Sequence, residues 1–447
     1  MRTRARLLSI VVAATLLAGA APAHAAAPSF DRAWCDGDAD DRAAFAAYMK
    51  AVLRAAGVTG DIAYDAEGFT LGSGDRGQLM GLGNTLRDRC QSDDDAPVER
   101  AARVFASIFS GNQFAGSLDG GDARKLLMPV IRARAWREAF RLHAARAAIE
   151  THATEPTSLP PVRAIGEDLV LLVAIDQPES IRYANASELA DWKLDFDRAL
   201  AIARENLAAQ PKPQVTDVGG GAWLLEGHAY TSSYALWTPK ALAALVGAKT
   251  EQLIVFAPSP EVLVVAIATD AEAVAHAATL AMTVHKEAPR GVSLIAMAPG
   301  ADGVPTEVEP AAGPLALVAQ MRFMDRFDAY GSLSEPLAAL LAAKGDKTPV
   351  APRFVARYGD LGFSAVAVLS RGEKAYLPEA DLVLLRDGTG DDAKVLGAAR
   401  WVELRKVLGD AITTLPDAYP PRYLVARFPT AEELAKMDLV STDELQK

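Results

Sequence analysis

Glu167-Asp-Leu-Val-Leu-Leu-Val-Ala-Ile-Asp176 says more about the architecture than any other segment. Leu169 to Ile175 is an unbroken apolar run set between carboxylates, too short for a buried helix and containing β-branched residues. Such a run reads as a strand covered on both faces. Downstream, 195–209 has Leu200, Ala203 and Leu207 at helical spacing, 252–269 reads as two strands turning at Ser259-Pro260, 271–286 as a helix and 294–298 as a strand. Upstream, 40–57 carries the stripe Phe45, Tyr48, Met49, Val52 and Leu53 and ends at Gly57. Two short strands at 61–64 and 68–71 come next, then helices at 79–90 and 98–109 and a long alanine- and arginine-rich helix at 123–151, interrupted by Pro129.

Pro305, Pro310 and Pro314 alternate with Gly300, Gly303 and Gly313, which places a domain boundary at 300–314. Beyond it come a helical region at 315–344, strands at 353–358, 363–370 and 381–386, a helix at 400–411 and a strand at 422–428. Helices and strands are interspersed without regular βα alternation, so the class is α+β, with mixed sheets and packed helices. The expected organisation is a domain at 26–310 with a subdomain break near 152–162, then a smaller α+β domain at 315–447. Asp168-Leu-Val-Leu-Leu172 returns as Asp381-Leu-Val-Leu-Leu385, and more loosely as Glu261-Val-Leu-Val-Val265. A structural repeat or coincidence in a chain rich in Ala, Val and Leu would each explain the echo.

The N-terminus sets the compartment. Arg2, Arg4 and Arg6 precede an apolar run of 14 residues from Leu7, and Ala23-His-Ala25 has small residues where a signal peptidase cuts. A membrane-spanning helix needs about 20 apolar residues. Cleavage after Ala25 is therefore expected, with no membrane insertion afterwards. The twin-arginine pair is absent, and Ala20 stands where a lipoprotein's cysteine would be, so the general secretory route to the periplasm or medium is indicated. Losing residues 1–25 removes three arginines and no acid, moving the net charge from −11 to −14. That balance repels phosphate backbones and argues against nucleic acid as a partner. Cys35 and Cys90 are the only cysteines, and in an oxidising compartment they are expected to pair.

Chemistry is harder to find. The sequence has no phosphate-binding Gly-rich loop with Lys and Ser/Thr, no Gly-x-Ser-x-Gly elbow and no His-Glu-x-x-His. His143, His152, His228, His276 and His285 remain after cleavage, none with a second ligand at i+4. Catalytic, cofactor-binding and metal-binding residues are accordingly assigned to none. Asp65 and Glu67 could form an acid–base pair but suit an exposed turn better. The segment with most character is 223–237. Read as a strand, it puts His228, Tyr230, Ser232 and Tyr234 on one face and adds Trp223 and Trp237, making a candidate ligand surface that competes with a role as core filling.

Glu167 to Tyr183 resembles the central motif of the YtpQ-like family, an uncharacterised bacterial domain family. The likeness continues through Leu189 to Gln210 and Leu126-Leu-Met-Pro-Val-Ile-Arg132, and more weakly through Phe45 to Gly57 and Leu79 to Asn84, covering about residues 40–310. It implies an α+β fold and supplies no reaction. The leader departs from the family, whose members are chiefly intracellular, and the region after 315 has no counterpart in it. The expected function is a non-enzymatic binding or interaction protein of the cell envelope, its partner a small ligand or an envelope protein. The alternatives are a secreted hydrolase working through a carboxylate pair and an envelope assembly or protective factor.

Overall fold

In the computed structural model the apolar run is a strand, Leu169–Gln177, with every side chain from Leu169 to Ile175 buried. The structure describes residues 29–36, 38–66, 69–73, 78–109, 120–150, 159–177, 180–288, 290–309, 316–356, 362–390, 392–441 and 444. The leader with its cleavage site, Glu67 and His152 lie outside them. The fold is α+β, with several small sheets and interspersed helices. The chain divides into two compact units, one ending at Ser117 and one beginning at Leu118.

In the first unit, helix α1 (Ala39–Ala55) starts at Asp38, whose carboxylate accepts from the Asp41 amide at 2.8 Å, and the chain turns away at Gly57 with φ +90°. A three-stranded antiparallel sheet comes next, formed by β1 (Ile62–Asp65), β2 (Thr70–Ser73) and β3 (Gln78–Gly81). Helices α2 (Gly83–Gln91) and α3 (Ala96–Phe109) complete it. The residues from Leu79 to Gly81, expected to open a helix, extend this sheet instead, and α2 begins only after Leu82. Phe45, Met49, Leu53, Leu71, Met80 and Leu82 form the core. Cys35 and Cys90 are joined in a disulfide.

The second unit opens with helix α4 (Gly120–Lys125), strand β4 (Leu127–Ala133) and helix α5 (Arg134–Glu150), where one long helix was expected. Pro129 explains the difference. Proline cannot donate to a ladder and is confined to strands with a free side, and β4 is an edge strand pairing only with β6. The sheet contains β5 (Arg163–Ile165), the central β6 (Leu169–Gln177) and β7 (Ser180–Tyr183). Helices α6 (Ala186–Asp191) and α7 (Phe196–Ala209) succeed it, capped by Asn185 and Asp195.

A six-stranded antiparallel sheet comes next: β8 (Gln214–Gly219), β9 (Ala222–Glu226), β10 (Leu253–Ser259), β11 (Val262–Ile267), β12 (Ala296–Ala298) and β13 (Thr306–Glu307), in the order β13-β12-β10-β11-β9-β8. Gly219, Gly220 and Gly221, all at positive φ, make the β8–β9 turn, a run that residues with a Cβ adopt only under strain. Leu253, Val255 and Ala257 of β10 face a core shared with α7 and α8 (Pro239–Val246). Ile254 and Phe256 face α9 (Ala271–Glu287) and the start of α10 (Ala316–Ala343). The remaining strands are β14 (Phe354–Ala356), β15 (Ser364–Ser370), β16 (Ala375–Pro378), β17 (Leu382–Asp387), β18 (Lys394–Arg400), β19 (Ile412–Thr414) and β20 (Arg422–Val425). They make two sheets, β14-β15-β17-β18 with β15 and β17 parallel, and β16-β20-β19, with helices α11 (Trp401–Leu408) and α12 (Ala431–Leu434).

The Pro/Gly-rich stretch at 300–314 does not separate two compact units. Glu307, inside it, accepts the backbone N–H groups of Glu167, Asp168 and Leu169. After it, Val318 and Met321 of α10 enter the core beside α9, and Leu333, Leu337 and Leu340 pack with Leu142 of α5. Glu307 and α10 thus both contact elements that precede this stretch.

Candidate functional site

The aromatic segment does not form the expected surface. Strand β9 stops at Glu226, and 231–236 is a 3-10 turn, so His228, Tyr230, Ser232 and Tyr234 do not share a strand face. Trp223, Tyr230 and Tyr234 are buried in the main core. The Ser233 hydroxyl donates to the Pro129 carbonyl at 2.8 Å, and the Tyr230 amide donates to His228 Nδ1 at 3.2 Å. Burial pushes the His228 pKa down. Trp237, half-buried, packs on the Tyr234 ring at 4.6 Å. These side chains fill and fix a core, which an alternating aromatic pattern does equally well. Among the described residues the exposed rings are Trp136 and Phe140 of α5, 37% and 42% exposed, and Phe354 of β14, 47% exposed.

A cavity of about 850 Å³ lies in the second unit. It sits where β15 and β17 begin and α11 starts. Arg326, Arg353 and Arg400 line it with Glu379, Asp381 and Glu403, alongside Ser364 and Trp401. The Arg353 guanidinium carbon lies over two rings, 4.9 Å from both the Phe323 and the Tyr330 centroids. Its Nε and Nη1 are buried with no hydrogen-bond partner among the described residues, and the same holds for Trp401 Nε1 and Glu403 Oε2. Burial pushes the Arg353 pKa down. A buried donor without an acceptor costs roughly 1–3 kcal/mol, recovered when an acceptor arrives.

Next to it is a cavity of about 320 Å³, sharing Arg326 and Glu379 and adding Arg134, Glu167, Asp168 and Tyr419. Asp168 is 1% exposed and accepts from Arg322 Nε at 3.1 Å, from Arg326 Nε at 3.0 Å and from the Tyr419 hydroxyl at 3.0 Å. Arg326 also bonds Glu167. Burial works against the charged form of Arg326, but Asp168 and Glu167 outweigh it and raise its pKa. This ion cluster fastens the start of β6 to α10, and loss of one partner would strand a buried charge.

The sequence echo maps onto these cavities. Ala133 pairs with Leu169, and the next amide, Arg134 N–H, donates to the Asp168 carbonyl as α5 begins. In the same way Arg400 pairs with Leu382, and Trp401 N–H donates to the Asp381 carbonyl as α11 begins. In the third copy Glu226 pairs with Val262 and Gly227 N–H donates to the Glu261 carbonyl. Asp168 and Asp381 thus occupy equivalent local positions in adjoining cavities. The echo was the one signal in the sequence that pointed here. The arginines, spread from 326 to 400, gave none.

Among the described residues no group of His, Cys, Asp or Glu is placed to hold a metal ion, and no helix is long and apolar enough to cross a membrane. No family model, curated protein or solved structure matches this chain.

Proposed function

We propose that the chain is an exported, non-enzymatic binding protein of the cell envelope. Its 850 Å³ cavity takes a small organic acid bearing hydroxyl or amino groups. The observation that carries the reading is Arg353, a guanidinium placed over two rings whose buried Nε and Nη1 have no partner among the described residues. Arginine suits a carboxylate because its planar fork matches two oxygens. Glu379, Asp381 and Glu403 share the lining, so the ligand supplies donors as well as its anion. Export is supported by the basic, apolar, small-residue order of the N-terminus and by the Cys35–Cys90 disulfide. Titration calorimetry of the mature protein against a panel of hydroxy acids and amino acids tests this. At least one member is expected to bind. Arg353→Met, which keeps an apolar stem on the rings, is expected to weaken that binding about tenfold or more with the melting temperature little changed. Unaltered affinity in Arg353→Met would defeat the reading.

A second reading has one observation in its favour. Glu403 Oε2 is buried and unpartnered among the described residues beside two further carboxylates, the raw material of a hydrolase. Turnover of a bound ester or glycoside that disappears in Glu403→Gln would select it.

A further inference from the structure

A third cavity, of about 330 Å³, is lined by Arg134, Arg137, Glu138, Arg141 and Asp417. Arg134 also lines the 320 Å³ cavity, which in turn shares Arg326 and Glu379 with the 850 Å³ cavity. The three concavities therefore adjoin in series along the second unit. Most charges in the series already have partners. Glu138 holds Arg141 through two hydrogen bonds of 2.7 and 2.6 Å, Asp168 and Glu167 hold Arg326, and Arg134 lies over the Tyr419 ring at 4.7 Å. Arg137 is different. Its Nε is buried with no hydrogen-bond partner among the described residues. Among the described residues the series thus has buried guanidinium donors without a partner in its first cavity, on Arg353, and in its last, on Arg137.

We propose that the three cavities form one track for an elongated organic diacid, with one carboxylate held at Arg353 and the other at Arg137. This extends the organic-acid reading of the 850 Å³ cavity and rests on it. Two cationic groups at opposite ends of a series of cavities that share lining residues select against short monoacids. A ligand anchored at one pole presents its second carboxylate to the other at high effective concentration, so a diacid of matching length gains affinity that a monoacid cannot.

The test uses linear α,ω-diacids of increasing chain length and, for each, the monoamide that has the same length and one charge fewer. Calorimetric titration of the full mature chain is expected to show one length at which the diacid binds about tenfold tighter than its monoamide. Arg137→Gln is expected to erase that gap by weakening the diacid far more than the monoamide, and Arg137→Lys to restore part of it. Arg353→Met is expected to weaken both compounds. Equal binding of diacid and monoamide at every length, or a gap that survives in Arg137→Gln, overturns the track while leaving the single-pocket reading standing. Failure of every acid to bind overturns both.

Discussion

Asp325 shows how far one side chain's behaviour depends on its surroundings. Its carboxylate accepts from the Leu294 amide at 3.0 Å and from the Ser293 hydroxyl at 3.2 Å. Although part of the residue reaches the surface, the carboxyl group is enclosed, and burial pushes its pKa up to about 6 despite the Leu294 hydrogen bond. The folded state then binds this proton more tightly than the unfolded chain does. The stabilisation is full below about pH 4 and is lost as pH rises through about 6. Asp325→Asn keeps an acceptor for Leu294 and turns a donor toward Ser293. It is expected to raise stability at about pH 7.5 by on the order of 2 kcal/mol and to change little at about pH 4. Urea unfolding at the two pH values measures this, and an equal effect at both would refute it. Nothing in Met324-Asp-Arg326 as a sequence announces such a group. Enclosure comes from Ser293 and Leu294, about thirty positions away.

Elements were legible where local pattern and tertiary demand agree. Helices α1, α7 and α9 sit within a few residues of their expected bounds, because their apolar stripes and the Asp38, Asp195 and Asp270 caps state the same boundaries. The segment at 223–237 was misread because aromatic alternation does not say where a chain leaves a sheet. Likewise β4 was hidden inside a helical composition, since its partner β6 lies far along the chain and only the free edge opposite β6 makes Pro129 tolerable. The turn from β5 to β6 offers a sharp test. Gly166 has φ +60°, and a Cβ there would collide with the Glu307 carboxylate that receives three backbone N–H groups. Gly166→Ala is expected to cost about 2 kcal/mol or more in thermal unfolding. A neutral result would mean that Glu307 does not anchor β6.

For the chain taken entire, the disulfide lies wholly within the unit that ends at Ser117. A loop of 55 residues constrains the unfolded chain by about 4 kcal/mol in the entropy model. Reduction, or Cys35→Ser with Cys90→Ser, is expected to speed amide exchange in α1, α2 and the three-stranded sheet while leaving protection in β6 and β10 unchanged. Equal loss in both regions would show that the two units unfold together. Composition and short-range periodicity were enough to read the α+β class, the cysteine pairing and the buried strand at 169–175, because those properties are local or countable. It took the folded chain to establish that the division falls at Ser117 and Leu118, that the aromatic segment is core, and that Arg134, Arg137, Arg326 and Arg353 line adjoining cavities. Burial and convergence are relations between residues far apart along the chain, and no local pattern encodes them.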